Sequence, residues 1–155
     1  MGRILLAVGI GVLLVSGAIA CSQGVKAAKK VGDLEIYDPF ARASHEEGAV
    51  YMAFRNTGDD DDSIIAASSP VANKVELHNT VALQGGGMRM TPVERIPLPK
   101  RAWVALSPGG YHIMLVDLKE ELKAGQKITV TIRFERAGSV TLEVPVVELM
   151  EEGGH

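Results

Sequence analysis

The sequence predicts an all-β domain, a β-sandwich or Greek-key barrel of about nine short strands. Three observations lead there. Apolar residues recur with period two in one segment after another. Clusters of Gly, Pro and Asp cut the chain into short pieces at regular spacing. No long stretch beyond the first twenty residues sustains the 3.6-residue period of an amphipathic helix. At 155 residues, 46% hydrophobic and 23% charged, the chain has material for one core and not for two.

The elements follow in order. Leu34 to Asp38 alternates, Pro39 interrupts and Phe40 to Ala43 resumes, which gives a first strand with a kink or bulge. Gly48 to Thr57 is a second, ended by Gly58 and the aspartates Asp59 to Asp62, a turn with a solvated charged tip. EF-hand loops alternate their ligands and close on a distant Glu; that spacing is absent, so calcium is not expected here. Ser63 to Ser69 is a third strand, closed by Pro70. Lys74 to His78 places Val75 and Leu77 on one face and Lys74, Glu76 and His78 on the other, with the histidine near the strand's end. Asn79 to Gly87 reads as a loop, and Met88 to Thr91 as a short extended piece with both methionines on one side. Pro92, Pro97 and Pro99 exclude a helix and leave a loop or an edge strand. Trp103 to Leu106 is a strand, Ser107 to Gly110 a turn, and Tyr111 to Val116 a strand in which His112 and Met114 share a face. Asp117 to Lys123 is expected as a helical turn. Lys127 to Glu135 and Ser139 to Val144 form a hairpin across Arg136-Ala137-Gly138.

The N-terminus carries an address rather than structure. Arg3 precedes an apolar run from Ile4 to Ala20, ending in the small-x-small pattern Ala18-Ile19-Ala20 of a secretory signal. Cleavage there leaves Cys21 first, followed by Ser22-Gln23-Gly24, an arrangement like the acylated cysteine of a bacterial lipoprotein. Ala18 stands where such signals usually have Leu, and cleavage to a soluble chain or retention as an anchor are the other fates. The expected organisation is a signal over 1–20, a lipid attachment and tether over 21–32, a β domain over 33–148 and an acidic tail over 149–155. The expected location is the periplasm or cell envelope, with a lipid on Cys21 as the membrane attachment.

Composition excludes several functions. Removing Arg3 with the leader leaves 15 of the 16 basic residues against 19 acidic ones, a charge of −4, which disfavours nucleic acid. Cys21 is the only cysteine, so no internal disulfide, blue-copper thiolate or structural zinc cluster can form within the domain. No G-x-S-x-G elbow, free thiol nucleophile or paired carboxylates signal catalysis, and an enzyme is not expected.

What remains is a set of soft donors. His78, Met88, Met90, His112 and Met114 fall at strand ends or beside Gly-rich loops, where a sandwich gathers its connections at one pole. Imidazole with thioether suits Cu(I) better than Zn(II) and hardly suits the hard cations. Thioethers carry no proton and imidazole is neutral above a pH of about 6.5, so such a set adds no negative charge. A shallow, exposed cup at such a pole is expected. His45 is expected as a surface residue. Met150 and His155, in the acidic tail, are weaker candidates.

The spacing His78, eleven residues, Met90, twenty-one residues, His112-Ile113-Met114 resembles the motif of periplasmic copper chaperones of the PCuAC type. The likeness extends to Ala41-Arg42-Ala43, Arg55-Asn56-Thr57-Gly58, Val75-Glu76-Leu77-His78, Met88-Arg89-Met90, Pro108 to Met114 and Val140 to Val146, covering roughly residues 34 to 147. Asn79 departs from the methionine that usually follows the first histidine. The resemblance implies a cupredoxin-like fold and a metal site of His78, Met90, His112 and Met114 holding Cu(I). It also implies delivery to the CuA centre of cytochrome c oxidase, with a subunit of that enzyme or a thioredoxin-like assembly factor as partner. A copper redox protein on the same scaffold and an Ig-like adhesion module with packed methionines are the competing readings.

Overall fold

The computed structural model describes residues 25–148; the leader, Cys21, Met150 and His155 lie outside the described residues. Eleven strands and no helix are found among them: β1 (Lys29–Val31), β2 (Leu34–Ala43), β3 (Glu47–Asn56), β4 (Asp62–Ser68), β5 (Ala72–Ala82), β6 (Met88–Pro92), β7 (Ile96–Leu98), β8 (Trp103–Leu106), β9 (Tyr111–Leu118), β10 (Lys127–Phe134) and β11 (Ser139–Pro145). The all-β expectation holds, with eleven strands in place of about nine.

One sheet runs β1-β2-β3-β9-β5-β6, with β8 also paired to β3, and the other runs β11-β10-β4-β7. Alternation sends Val50, Leu77, Ile113 and Leu115 inward, where they meet Ile64, Val130 and Ile132 of the second sheet in one core. Phe54 of β3 and Phe134 of β10 make an edge-to-face contact, centroids 5.9 Å apart, inside that core. A parallel bridge from Ala41 to Val146 joins the sheets along one side, which makes the sandwich barrel-like.

Local departures from the sequence expectation have identifiable causes. The bulge near Pro39 is present: register shifts between Tyr37 and Phe40, and Asp38 takes φ 46. Lys29 to Val31, expected within the tether, pairs with Ile36 to Leu34 as β1. The proline-rich segment supplies β7 as an edge strand, where Pro97 costs no ladder bond on its outer side. The helical turn expected over 117–123 is absent. Asp117 lies at φ 56, the Leu118 amide donates to the Glu46 carbonyl and the Lys119 amide to that of Val71, so the residues just ahead of β3 and β5 take the backbone groups a helix would need.

The aspartate run is not simply a solvated tip. Asp59 pairs with Arg101 and Asp60 with Arg136, while Asp62 is buried and accepts from the amides of Ser63, Arg136 and Ala137. Asp60 and Asp62 tie the β3–β4 turn to the β10–β11 turn, and Asp59 ties it to the β7–β8 connection.

Candidate metal centre

The centre lies on the outer face of the larger sheet. His78 of β5 and His112 of β9 are direct cross-strand partners, as are Glu76 and Met114, and Thr80 and Met90 of β6. Directly opposed residues in an antiparallel pair share a face, so all four candidate donors stand on one side. β5 runs on through Ala82, so His78 sits within the strand and not at its end. The donors are therefore gathered by strand register on a sheet face, in place of the expected loop-lined pole.

A local irregularity positions His112. β8 and β9 follow the same edge of β3, Leu106 opposite Met52 and Ile113 opposite Val50, with residues 107–110 looping out between them. Gly109 takes φ 88, which favours glycine, and the Gly110 amide closes the loop on the Ser107 carbonyl. The Gly110 carbonyl then accepts from both the Thr80 amide, at 3.0 Å, and His112 Nδ1, at 3.1 Å.

That bond fixes the proton on Nδ1 and leaves His112 Nε2 bare, buried and without a partner. His78 is arranged in the opposite sense. Its Nε2–H donates to Glu76 Oε2 at 2.8 Å, and Nδ1 is the buried, unpartnered atom. The ring centroids are 5.6 Å apart. Buried nitrogens without a partner are costly and uncommon, and two of them on neighbouring rings mark a place built to take a further ligand.

Electrostatics keep the His112 imidazole available. Burial pushes the His112 pKa below its ordinary value, against the raising effect of the Gly110 bond and helped by the nearness of His78. Lys74 foremost, then His78, hold the Glu76 carboxyl below the usual carboxylate range. Tyr51, with its ring 6.1 Å from that of His112, is pushed up by burial.

Met90, His112 and Met114 line one cleft of about 330 Å³ together with Arg42, Tyr51 and Pro108. His78 stands beside it, against His112. The expected exposed cup is a well with an exposed lip: His112 and Met114 are 2% and 7% exposed, whereas Met90 is 55% exposed. Tyr51, packed on Phe40, stands beside the imidazole, and Arg42 lies over Phe40 next to it.

Among the described residues no three His, Cys, Asp or Glu side chains gather as a metal site; the further soft donors lining the cleft with His112 are sulfurs. His45 is exposed on a loop, 3.2 Å from Glu121. The sequence reading missed Glu76, Tyr51 and Arg42. Glu76 was legible in principle, two residues before His78 on the same face of an alternating strand.

Residues 34–146 match the family described as "Putative lipoprotein LpqE-like". "Putative lipoprotein Lxx21020" from Leifsonia xyli subsp. xyli is 37% identical over 98 residues, which is 63% of this chain and 59% of that protein. The chain thus spans about three fifths of the length of that curated relative. The structure titled "Copper-bound PCuAC domain from PmoF2" is similar at TM-score 0.66 and 28% identity, covering 78% of this chain and 97% of that one. The solution structure of CuI-DR1885 from Deinococcus radiodurans is similar at TM-score 0.56 and 25% identity, covering 84% of this chain and 87% of that one. With a match from the start of β2 to the bridge at Val146, the chain belongs to the LpqE-like family and is of the PCuAC type.

Proposed function

We propose that the chain is an exported Cu(I) carrier without catalytic turnover. His78, Met90, His112 and Met114 hold the ion, which is passed to the CuA centre of a cytochrome c oxidase subunit, directly or through a thioredoxin-like assembly factor. One observation carries the metal reading: two buried, unpartnered imidazole nitrogens on adjacent rings, beside a cleft lined by two thioethers. The likeness to a copper-bound PCuAC domain and to a Cu(I)-loaded protein supports it.

The donor set explains the preference for the reduced ion. Two neutral imidazoles and two thioethers bring soft lone pairs and no charge, and a d¹⁰ ion imposes no geometry of its own. Glu76 and Gly110 act as outer partners that hold each ring in the tautomer presenting its free nitrogen. The lipoprotein name of the curated relative supports export, with a signal over 1–20, an acylated Cys21 and a tether leading to the domain.

Anaerobic titration of the mature chain with Cu(I) against a colorimetric chelator tests the reading. One equivalent binds tightly to the wild type, and Met90→Leu with Met114→Leu reduces affinity at least about tenfold, or 1.4 kcal/mol, while the fold is kept. An unchanged copper stoichiometry and affinity in the double variant contradicts it. Tight Cu(II) binding with reversible reduction favours an electron-transfer protein instead.

A further inference from the structure

β6 is the outermost strand of the larger sheet and leaves both of its methionines in solvent, Met88 62% and Met90 55% exposed. Met88 is opposite Ala82 and Met90 opposite Thr80, so both face the side that carries His78 and His112. Two clefts open there. The first holds Met90, His112 and Met114; its neighbour, of about 440 Å³, holds Met88, Met90 and His112, with Tyr51, Thr80 and Pro108. They share one thioether and one imidazole and differ in the second thioether. Met114 lies at the floor, 7% exposed, and Met88 at the lip, its methyl carbon 3.4 Å from where a Cβ on Gly109 would stand.

Resting on the Cu(I)-carrier reading, we infer that Met88 is an exit donor, a ligand used in transfer and not at rest. As the ion moves outward, its bond to the Met114 sulfur breaks and one to the Met88 sulfur forms, while His78, Met90 and His112 stay bound. No electron or proton moves, because a thioether exchanges neither and Cu(I) remains Cu(I). The ion then sits among donors at the lip, where soft sulfur or nitrogen ligands of a recipient can displace them one at a time. A flexible, unbranched side chain suits that task. Its exposure is otherwise unrewarded, since β6 buries neither methionine in the core.

The test compares the mature chain with its Met88→Leu and Met114→Leu variants, loaded with Cu(I), by anaerobic stopped flow against a methionine-rich peptide and, separately, a chelator. Met88 is a solvent-exposed edge residue, so Leu leaves the fold intact, which circular dichroism checks. Met88→Leu keeps equilibrium affinity within about threefold and slows transfer to the peptide about tenfold, while Met114→Leu loses affinity about tenfold or more and releases copper faster. Transfer from Met88→Leu at the wild-type rate overturns the inference alone. So does a loss of affinity as large as that of Met114→Leu, which makes Met88 a resting ligand. A wild-type chain that takes up no Cu(I) overturns the carrier reading and this step with it.

Discussion

His78 and His112 face each other across the β5–β9 ladder with ring centroids 5.6 Å apart, and each turns a different nitrogen into the protein without a partner. The geometry assigns Nε2–H to His78, donated to Glu76, and Nδ1–H to His112, donated to Gly110. Long-range nitrogen–proton correlation spectra of the copper-free chain check this directly. The account expects two opposite tautomers, with Cu(I) shifting His78 Nδ1 and His112 Nε2. Identical tautomers in both rings contradict it.

Glu76 accepts from His78 Nε2–H at 2.8 Å and is itself paired with Lys74. Glu76→Ala is expected to lower Cu(I) affinity about tenfold to a hundredfold, the usual effect of removing an outer partner from a ligating histidine. Glu76→Gln, which still offers an oxygen to Nε2–H, recovers part of the loss. The same spectra report the loosened tautomer, a signature that a purely structural role would leave in place.

Much of this arrangement was legible from period two alone. Alternation places His112 with Met114, and Glu76 with His78, on the faces they occupy, and the β10–β11 hairpin falls across Arg136-Ala137-Gly138 as its turn residues dictate. Other parts were not legible because they depend on distant partners. Lys29 to Val31 has no apolar period and becomes a strand only by pairing with Leu34 to Ile36. Asn79 to Ala82 leads into Gly85-Gly86-Gly87 and reads with it as a loop, yet it extends β5 because β6 folds back onto it. The depth of His112 comes from the packing beside it of Tyr51, sixty-one positions earlier, and strand periodicity contains no such information.

Asp62 separates stability from function. Its buried carboxylate serves the amides of Ser63, Arg136 and Ala137, and Asp62→Ala leaves those donors unmet, a cost of about 2 kcal/mol. Chemical denaturation reads the loss. Cu(I) affinity of the folded fraction is expected to be unchanged, since none of the proposed donors touches this turn.

Acid weakens the attachment of β1. The bond from Lys30 foremost, then that from Tyr37, hold the Glu35 carboxyl below its ordinary pKa of 4.5 in the folded chain. A carboxyl depressed by folding adds stability that is present above the unfolded value and is lost as pH falls through the folded one. The denaturation midpoint of the wild type therefore declines below about pH 4.5 more steeply than that of Glu35→Gln, which lacks this titration. Parallel pH profiles of the two contradict the assignment.

X-ray absorption at the copper edge of the Cu(I)-loaded mature chain tests the central claim most directly. The account predicts a mixed shell of two imidazole nitrogens and two thioether sulfurs, losing both sulfurs when Met90 and Met114 are replaced by Leu. A shell without sulfur in the wild type, or one unaltered by that double substitution, contradicts it.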